Sequence, residues 1–137
     1  MKILIDIQNN QSIKVDLIEI EKIANRVWRH EGKKDAQINI ILVNDEYIRK
    51  LNKKYLHKDA VTDVIAFPIS AEKATFFEGE MYVCIDRVLE NATSYNVNFN
   101  QELNRVVVHG LLHFIGYEDK TYCGKKIMTK RENHYLK

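Results

Sequence analysis

The chain has 137 residues, of which 45% are hydrophobic and 29% are charged, and this composition predicts one globular domain over residues 1–137. No apolar run has membrane-spanning length and the N-terminal residues lack a signal-peptide core, so a cytoplasmic protein is expected. The net charge of +2 argues only weakly for nucleic acid as a partner. The two cysteines, Cys84 and Cys123, share no metal-ligand spacing and are expected to be free thiols.

Basic residues are concentrated at the C-terminal end. From Lys120 onward six lysines and arginines stand against Glu132 alone, a local net charge of +5. A smaller basic group comprises Lys53, Lys54, His57 and Lys58. Either group can contact the phosphates of a nucleic acid, or can be a solvated helix face with no partner.

Hydrophobic periodicity predicts an alternation of strands and helices along the chain. The predicted strands are residues 2–8, 36–44, 62–68 and 79–86. The predicted helices are residues 17–32, 45–54, 86–95, 100–115 and 121–136. Asp16 with Glu19 resembles a capping box, while Asn44 and Asp86 are placed to cap the helices that follow them. The strands precede most of the helices, which predicts an α+β fold with helices packed on a sheet of about four strands.

Two histidines interrupt the apolar face of the longest predicted helix. His109 and His113 are four residues apart, so their imidazoles lie on one face of the helix and can share a metal ion. Gly116 can end the helix in a left-handed conformation, and the returning chain can bring the carboxylate of Asp119 to the same ion. Three protein ligands would leave a fourth position for water, as hydrolytic zinc sites require. Core histidines without a metal are the alternative.

The residue after the first histidine distinguishes this site from the large zinc peptidases. Those enzymes have a glutamate there that acts as general base, whereas this chain has Gly110. Because glycine cannot transfer a proton, peptide hydrolysis loses its expected base. No catalytic side chain separate from the metal-bound water can be identified from the sequence.

Three blocks of this sequence are similar to the YbeY family, bacterial ribosomal RNA maturation factors also described as metal-dependent endoribonucleases. The most specific block is HGLLHFIGYED at residues 109–119; the others are LN at 51–52 followed by TDVIAFP at 62–68, and GEMYVCI at 79–85. The resemblance implies a mixed sheet, and an endoribonuclease that acts on single-stranded RNA in rRNA processing and small ribosomal subunit maturation. It implies one zinc ion, held by His109, His113 and Asp119, with the ligands on the penultimate helix and the loop after it.

Two positions depart from the family pattern. Asp119 stands where the family has a third histidine, which keeps a ligand but makes the site harder and more anionic. Leu56 stands where the family has an arginine, whose role is then vacant or has moved to His57, Lys58 or Arg105.

The resemblance also implies that Thr62, Asp63 and Phe67 line a cleft facing the metal helix. Packing in the core and sheet is nevertheless the favoured role for Thr62 and Phe67, and a strand-end carboxylate bonded to the backbone is an equal alternative for Asp63. The residues that are candidates for RNA binding are Lys53, Lys54, Lys58, Arg105, Lys125 and Lys126. Arg105 can equally form an exposed ion pair with Glu102.

Several alternatives stay open at this point. Glu118 and Cys123 compete with Asp119 as ligands, although packing is the favoured role for Cys123. The rival functions are a small zinc peptidase and a non-catalytic ribosome-assembly protein whose metal only ties the loop to the helix. A set of two histidines and one carboxylate is also used by iron enzymes.

Overall fold

The computed structural model describes residues 1–137 and has an α+β fold with a four-stranded mixed sheet and five helices, as predicted. The strands are β1 (Ile3–Asn9), β2 (Asp35–Val43), β3 (Val64–Pro68) and β4 (Phe76–Cys84). The helices are α1 (Leu17–Val27), α2 (Asp45–Leu56), α3 (Ile85–Tyr95), α4 (Phe99–Ile115) and α5 (Tyr122–Tyr135). A single π-helical turn, Trp28–Gly32, extends α1.

The strand order in the sheet is β1-β2-β4-β3. Strands β1, β2 and β4 are parallel to one another, with Ile38 of β2 opposite Ile5 of β1 and Gly79 of β4. The edge strand β3 runs antiparallel to β4, with Ile65 opposite Tyr82. Pro68 lacks an N–H donor, which suits it to the end of an edge strand. One side of β3 is therefore open at the edge of the sheet.

Each face of the sheet carries its own apolar core. The larger core joins the sheet to α1, α3, α4 and α5, with Ile40, Met81 and Leu111 fully buried at its centre. The smaller core places α2 on the opposite face, where Ile48 packs among the strand residues. Alternation along β2 explains the division, because Ile38, Ile40 and Leu42 face one core while Ile41 and Val43 face the other.

Helix α4 is held at both ends by capping interactions. Asn98 and Gln101 form a capping box at its start. At its end Gly116 adopts a φ of 117°, and the N–H of Tyr117 donates to the carbonyl of Leu112 at 3.0 Å. The chain turns here toward α5, whose N-cap is Thr121. None of the five helices, α4 included, has both the length and the apolar character needed to cross a bilayer.

Two predicted caps are wrong in detail. Asp86 is not the cap of α3 but lies in its first turn, where its carboxylate accepts a hydrogen bond from the N–H of Asp45 at 2.9 Å. Asp16 does cap α1, but only half of the capping box forms. The carboxylate of Glu19 instead accepts from the side-chain amide of Asn104 on α4, because this contact joins the two packed helices.

Candidate metal centre

The side chains of His109, His113 and Asp119 converge at the C-terminal end of α4. The two Nε2 atoms are 3.0 Å apart, and Asp119 Oδ2 lies 3.4 Å from His109 Nε2 and 3.8 Å from His113 Nε2. The histidines share a face because they are one helical turn apart, and the left-handed Gly116 directs the chain back so that Asp119 reaches them. The three side chains are 24%, 33% and 40% exposed, so solvent reaches the site.

Hydrogen bonds donated by both Nδ1 atoms fix the orientation of the two imidazoles. His109 Nδ1 is 2.8 Å from Glu132 Oε2, and His113 Nδ1 is 3.2 Å from the backbone oxygen of Tyr117. A carbonyl or an ionised carboxylate only accepts, so each Nδ1 carries the proton and each Nε2 is left with its lone pair. Two lone pairs at 3.0 Å repel unless a proton or a metal cation lies between them.

The two histidines have opposite pKa shifts. Burial works to lower the pKa of His109, but its hydrogen bond to Glu132 and the negative charges of Glu132, Asp119 and Asp63 outweigh burial and raise it above 6.5. Burial and the neighbouring charge of His109 lower the pKa of His113 below 6.5. Without a metal, His109 is therefore protonated in preference to His113.

The separations fit a tetrahedral zinc ion. Zinc bonds of about 2.0–2.2 Å place neighbouring ligand atoms about 3.3–3.6 Å apart, and the observed separations of 3.0, 3.4 and 3.8 Å bracket that range. The donors, two imidazole nitrogens and a carboxylate oxygen, are a set that zinc binds. The residues present can thus hold a zinc ion without rearrangement of the backbone.

Glu132 is the residue of this centre that sequence reasoning missed. It lies on α5 and is only 4% exposed, although it belongs to the most basic segment of the chain. A signal for it exists, because Met128, Glu132 and Tyr135 follow helical spacing and form the buried face of α5. A lone carboxylate on an apolar helix face needs a partner, and His109 is that partner.

Arg105 lies behind this contact rather than on an open surface. Its guanidinium makes two bonds to Glu102, at 2.9 and 2.6 Å, and lies 3.4 Å from Glu132 Oε1. The predicted ion pair with Glu102 therefore forms, but it is not exposed, because Glu102 is only 1% accessible. The suggestion that Arg105 binds RNA stays a prediction.

Gly110 faces the sheet and not the histidine cluster. A Cβ atom placed on it would lie 2.7 Å from Met81 Cε and 3.3 Å from Val64 Cγ2. Any larger residue would displace the end of the buried Met81 side chain, so glycine suits this close approach of α4 to β3 and β4. A glutamate at this position would put a carboxylate into the larger core, so the peptidase base cannot be restored by substitution here.

The competing ligands lie outside the cluster. Glu118 and Cys123 are both exposed, and neither belongs to the convergent group. The prediction that Cys123 packs is wrong, because it lies on the solvent-facing side of the first turn of α5. A second group, Asp45, Cys84 and Asp86, also converges. It is already satisfied, because Arg87 binds Asp45 with two hydrogen bonds and burial raises the pKa of the Cys84 thiol to about 12.

The cleft residues divide between the two faces of the sheet. Asp63 directly precedes β3, its charge acts on His109, and its carboxylate accepts from the side-chain amide of Asn91 at 3.3 Å. Phe67 lies on the opposite face, with its ring 5.6 Å from Tyr55 and 6.0 Å from Tyr82. Phe67 therefore packs, which is the favoured prediction, and the cleft role that the resemblance implies for it is wrong, because its position in β3 turns it toward α2. Thr62 is half-buried and Leu56 is exposed near the open edge of β3.

The predicted basic residues other than Arg105 are exposed on two separate helical regions. Lys53 and Lys54 lie near the end of α2, with Lys58 just after it, and Lys125 and Lys126 lie on α5. Lys54 stacks over the ring of Tyr55 at 5.2 Å. No single patch contains all of them.

Together the fold and the site define an α+β protein whose longest helix and the following loop present two histidines and a carboxylate to one cation-sized space. The family model described as Endoribonuclease YbeY matches residues 5–137. The chain belongs to the YbeY endoribonuclease family. Membership supports an endoribonuclease role, that is, a hydrolase that cuts RNA at internal positions.

Individual relatives agree with this assignment. An Endoribonuclease YbeY from Amoebophilus asiaticus is 41% identical over 112 residues, which cover 82% of this chain and 76% of the relative. One from Chlorobium luteolum is 34% identical over 132 residues, covering 96% and 95%. The solution structure of a Thermotoga maritima protein superposes with a TM-score of 0.71 at 32% identity, covering 97% of this chain and 87% of that protein.

Proposed function

We propose that this protein is a zinc-dependent endoribonuclease that hydrolyses single-stranded RNA during rRNA processing and small ribosomal subunit maturation in the cytoplasm. The observation that carries the proposal is the convergence of His109 Nε2, His113 Nε2 and Asp119 Oδ2, with both rings oriented by bonds to Nδ1. Family membership supports the RNA-cutting class of reaction.

A zinc ion at these three ligands would supply a Lewis acid for a phosphoryl oxygen and a means of ionising water near neutral pH. The protein's own side chains would position the ion and offset part of its charge. His109 and His113 present nitrogen lone pairs from a rigid helix, and Asp119 adds a negative charge from the loop. Glu132 contacts the Nδ1 side of His109 and so is turned away from the reacting side. No side chain of the cluster is free to act as a separate base.

RNA would contact the protein mainly through its phosphates. The exposed lysines form two groups, with Lys53, Lys54 and Lys58 at the end of α2 and Lys125 and Lys126 on α5, the helix that also supplies Glu132 to the cluster. Contacts of this kind do not depend on base identity, and they weaken steeply with salt.

A zinc peptidase is the weaker alternative. The expected base position is Gly110, which is packed against Met81 and has no room for a carboxylate. A non-catalytic assembly protein with a structural metal would need the ion to hold loop and helix together. However, the loop is already held by the bond from His113 Nδ1 to Tyr117 and by the Thr121 cap.

The proposal is tested by cleavage of an rRNA precursor with zinc-loaded wild-type protein and with the His113→Ala variant. His30→Ala is the matched control, because His30 is exposed and lies outside the cluster. Wild type and His30→Ala should cleave the RNA, and His113→Ala should not. Equal cleavage by His113→Ala would overturn the proposal. Elemental analysis of protein purified without chelator separates zinc from iron.

A further inference from the structure

A chain of buried polar contacts leads away from the metal centre. His109 Nδ1 lies 2.8 Å from Glu132 Oε2, and Glu132 Oε1 lies 3.4 Å from Arg105 Nη1. Arg105 donates two further hydrogen bonds to the carboxylate of Glu102. Glu102 and Glu132 are 1% and 4% exposed. Arg105 stacks over the ring of Tyr95 on its other side, at 5.5 Å. These contacts join α4 to α5, and His109 and Glu132 are 23 residues apart in the sequence.

Two buried carboxylates of these contacts, those of Glu102 and Glu132, share one guanidinium. Arg105 neutralises only one of its two buried carboxylates, so one negative charge remains, and Asp119 adds a second. A buried carboxylate without a counter-charge is strongly destabilising. Glu132 faces His109 through Nδ1, so positive charge on that ring, whether from a proton or from a cation bound at Nε2, would offset the remaining charge.

We infer that Glu132 is a positioning residue, which holds His109 in the tautomer and ring orientation that bind the metal, and that Arg105 holds Glu132 in place. The inference rests on the proposed metal site. A histidine ligand whose second nitrogen donates to a carboxylate has a fixed tautomer and a more basic ligand atom. Arg105 is suited to the second role, because its planar group binds one carboxylate with two bonds and reaches another.

Helix α5 therefore has a role in the metal site besides the proposed contact with RNA. Its buried face supplies Glu132 to the metal ligand, while its outer face carries Lys125 and Lys126. The helix must dock correctly before His109 is oriented, so the metal site is completed only by the C-terminal segment of the chain.

The experiment measures zinc affinity by competition with a chromophoric chelator in the wild type, Glu132→Ala and Glu132→Gln. Removal of a contact of this kind typically lowers affinity 10- to 100-fold, and Glu132→Ala should fall in that range. Glu132→Gln keeps an accepting oxygen and should lose less. Asp45→Asn is the control, because it weakens an Arg–carboxylate pair outside the His109 cluster, and its zinc affinity should equal the wild type's.

A second readout reports the hydrogen bond itself. In zinc-loaded wild type the Nδ1 proton of His109 should be protected from exchange with water, and its NMR signal should be lost or exchange rapidly in Glu132→Ala. If that variant does not fold, Glu132→Gln gives the same comparison, with faster exchange expected than in wild type.

The possible failures are distinct. Absence of zinc binding by wild type would refute the proposed metal site. Normal zinc binding by wild type, with unchanged affinity and unchanged proton exchange in the Glu132 variants, would refute the positioning role alone.

Discussion

Replacement of Asp119 by alanine should remove one of the three ligands and leave the protein folded. The side chain is 40% exposed and lies in the loop after α4, so its loss creates no core cavity. Its Oδ2 atom is 3.4 Å from His109 Nε2 and 3.8 Å from His113 Nε2, and it contributes the only anionic ligand atom of the cluster.

The size of the effect follows from these contacts. Loss of a group behind a metal ligand typically lowers affinity 10- to 100-fold. Asp119 is placed to contact the ion itself and carries a negative charge, so Asp119→Ala should weaken zinc binding by more than about 100-fold. That factor corresponds to more than about 2.7 kcal/mol of binding free energy. Asp119→His should retain zinc, because it restores the third histidine of the family pattern.

The assay is zinc competition on purified variants, with Glu118→Ala and Cys123→Ser as controls. Both control residues are exposed neighbours outside the cluster, so their zinc affinity should change less than about threefold, a difference of about 0.65 kcal/mol. Full zinc occupancy in Asp119→Ala, or metal loss in Cys123→Ser, would refute the assignment of the third ligand.

Four further outcomes are expected. Reversal of Lys125 and Lys126 to glutamate should weaken RNA binding and flatten its salt dependence by up to about two units without changing metal content; unchanged affinity and slope would remove α5 from the RNA surface. Zinc-loaded protein should show no chelator-sensitive cleavage of a peptide library, and such cleavage would contradict the choice of class. Gly110→Ala should destabilise the protein to urea by up to about 2 kcal/mol, since overpacking costs about 1–3 and helix propensity returns about 1; a more stable variant would contradict the packing. Zinc affinity should rise with pH until the raised pKa of His109 is passed, with a slope of at most one proton at neutral pH, because a proton on His109 competes with zinc while the lowered pKa of His113 leaves that ring neutral; competition titrations giving a slope of two at neutral pH would contradict the opposite shifts.

Local patterns were sufficient to predict most elements of the fold. The alternation in β1 and the β-branched run in β2 have strand periodicity, and Asn44 caps α2 as its position suggests. The spacing of His109 and His113 placed both on one helix face because this relation depends only on helical geometry.

Relations between distant elements could not be predicted in the same way. Nothing local to Asp86 shows that its carboxylate binds the start of α2, 41 residues earlier in the chain. The side of β3 that Phe67 faces depends on the register with β4, which residue patterns leave open. Glu132 was missed because its partner His109 lies on another helix, and only the packing of α5 on α4 brings them together.

The most direct test of the central claim is a zinc titration of RNA cleavage by metal-stripped wild-type protein. Stripped protein should be inactive toward an rRNA precursor, and activity should rise in proportion to added zinc until one ion is bound per chain. Cleavage by the stripped protein at the same rate, or no return of activity at one bound zinc, would contradict a zinc-dependent endoribonuclease built on His109, His113 and Asp119.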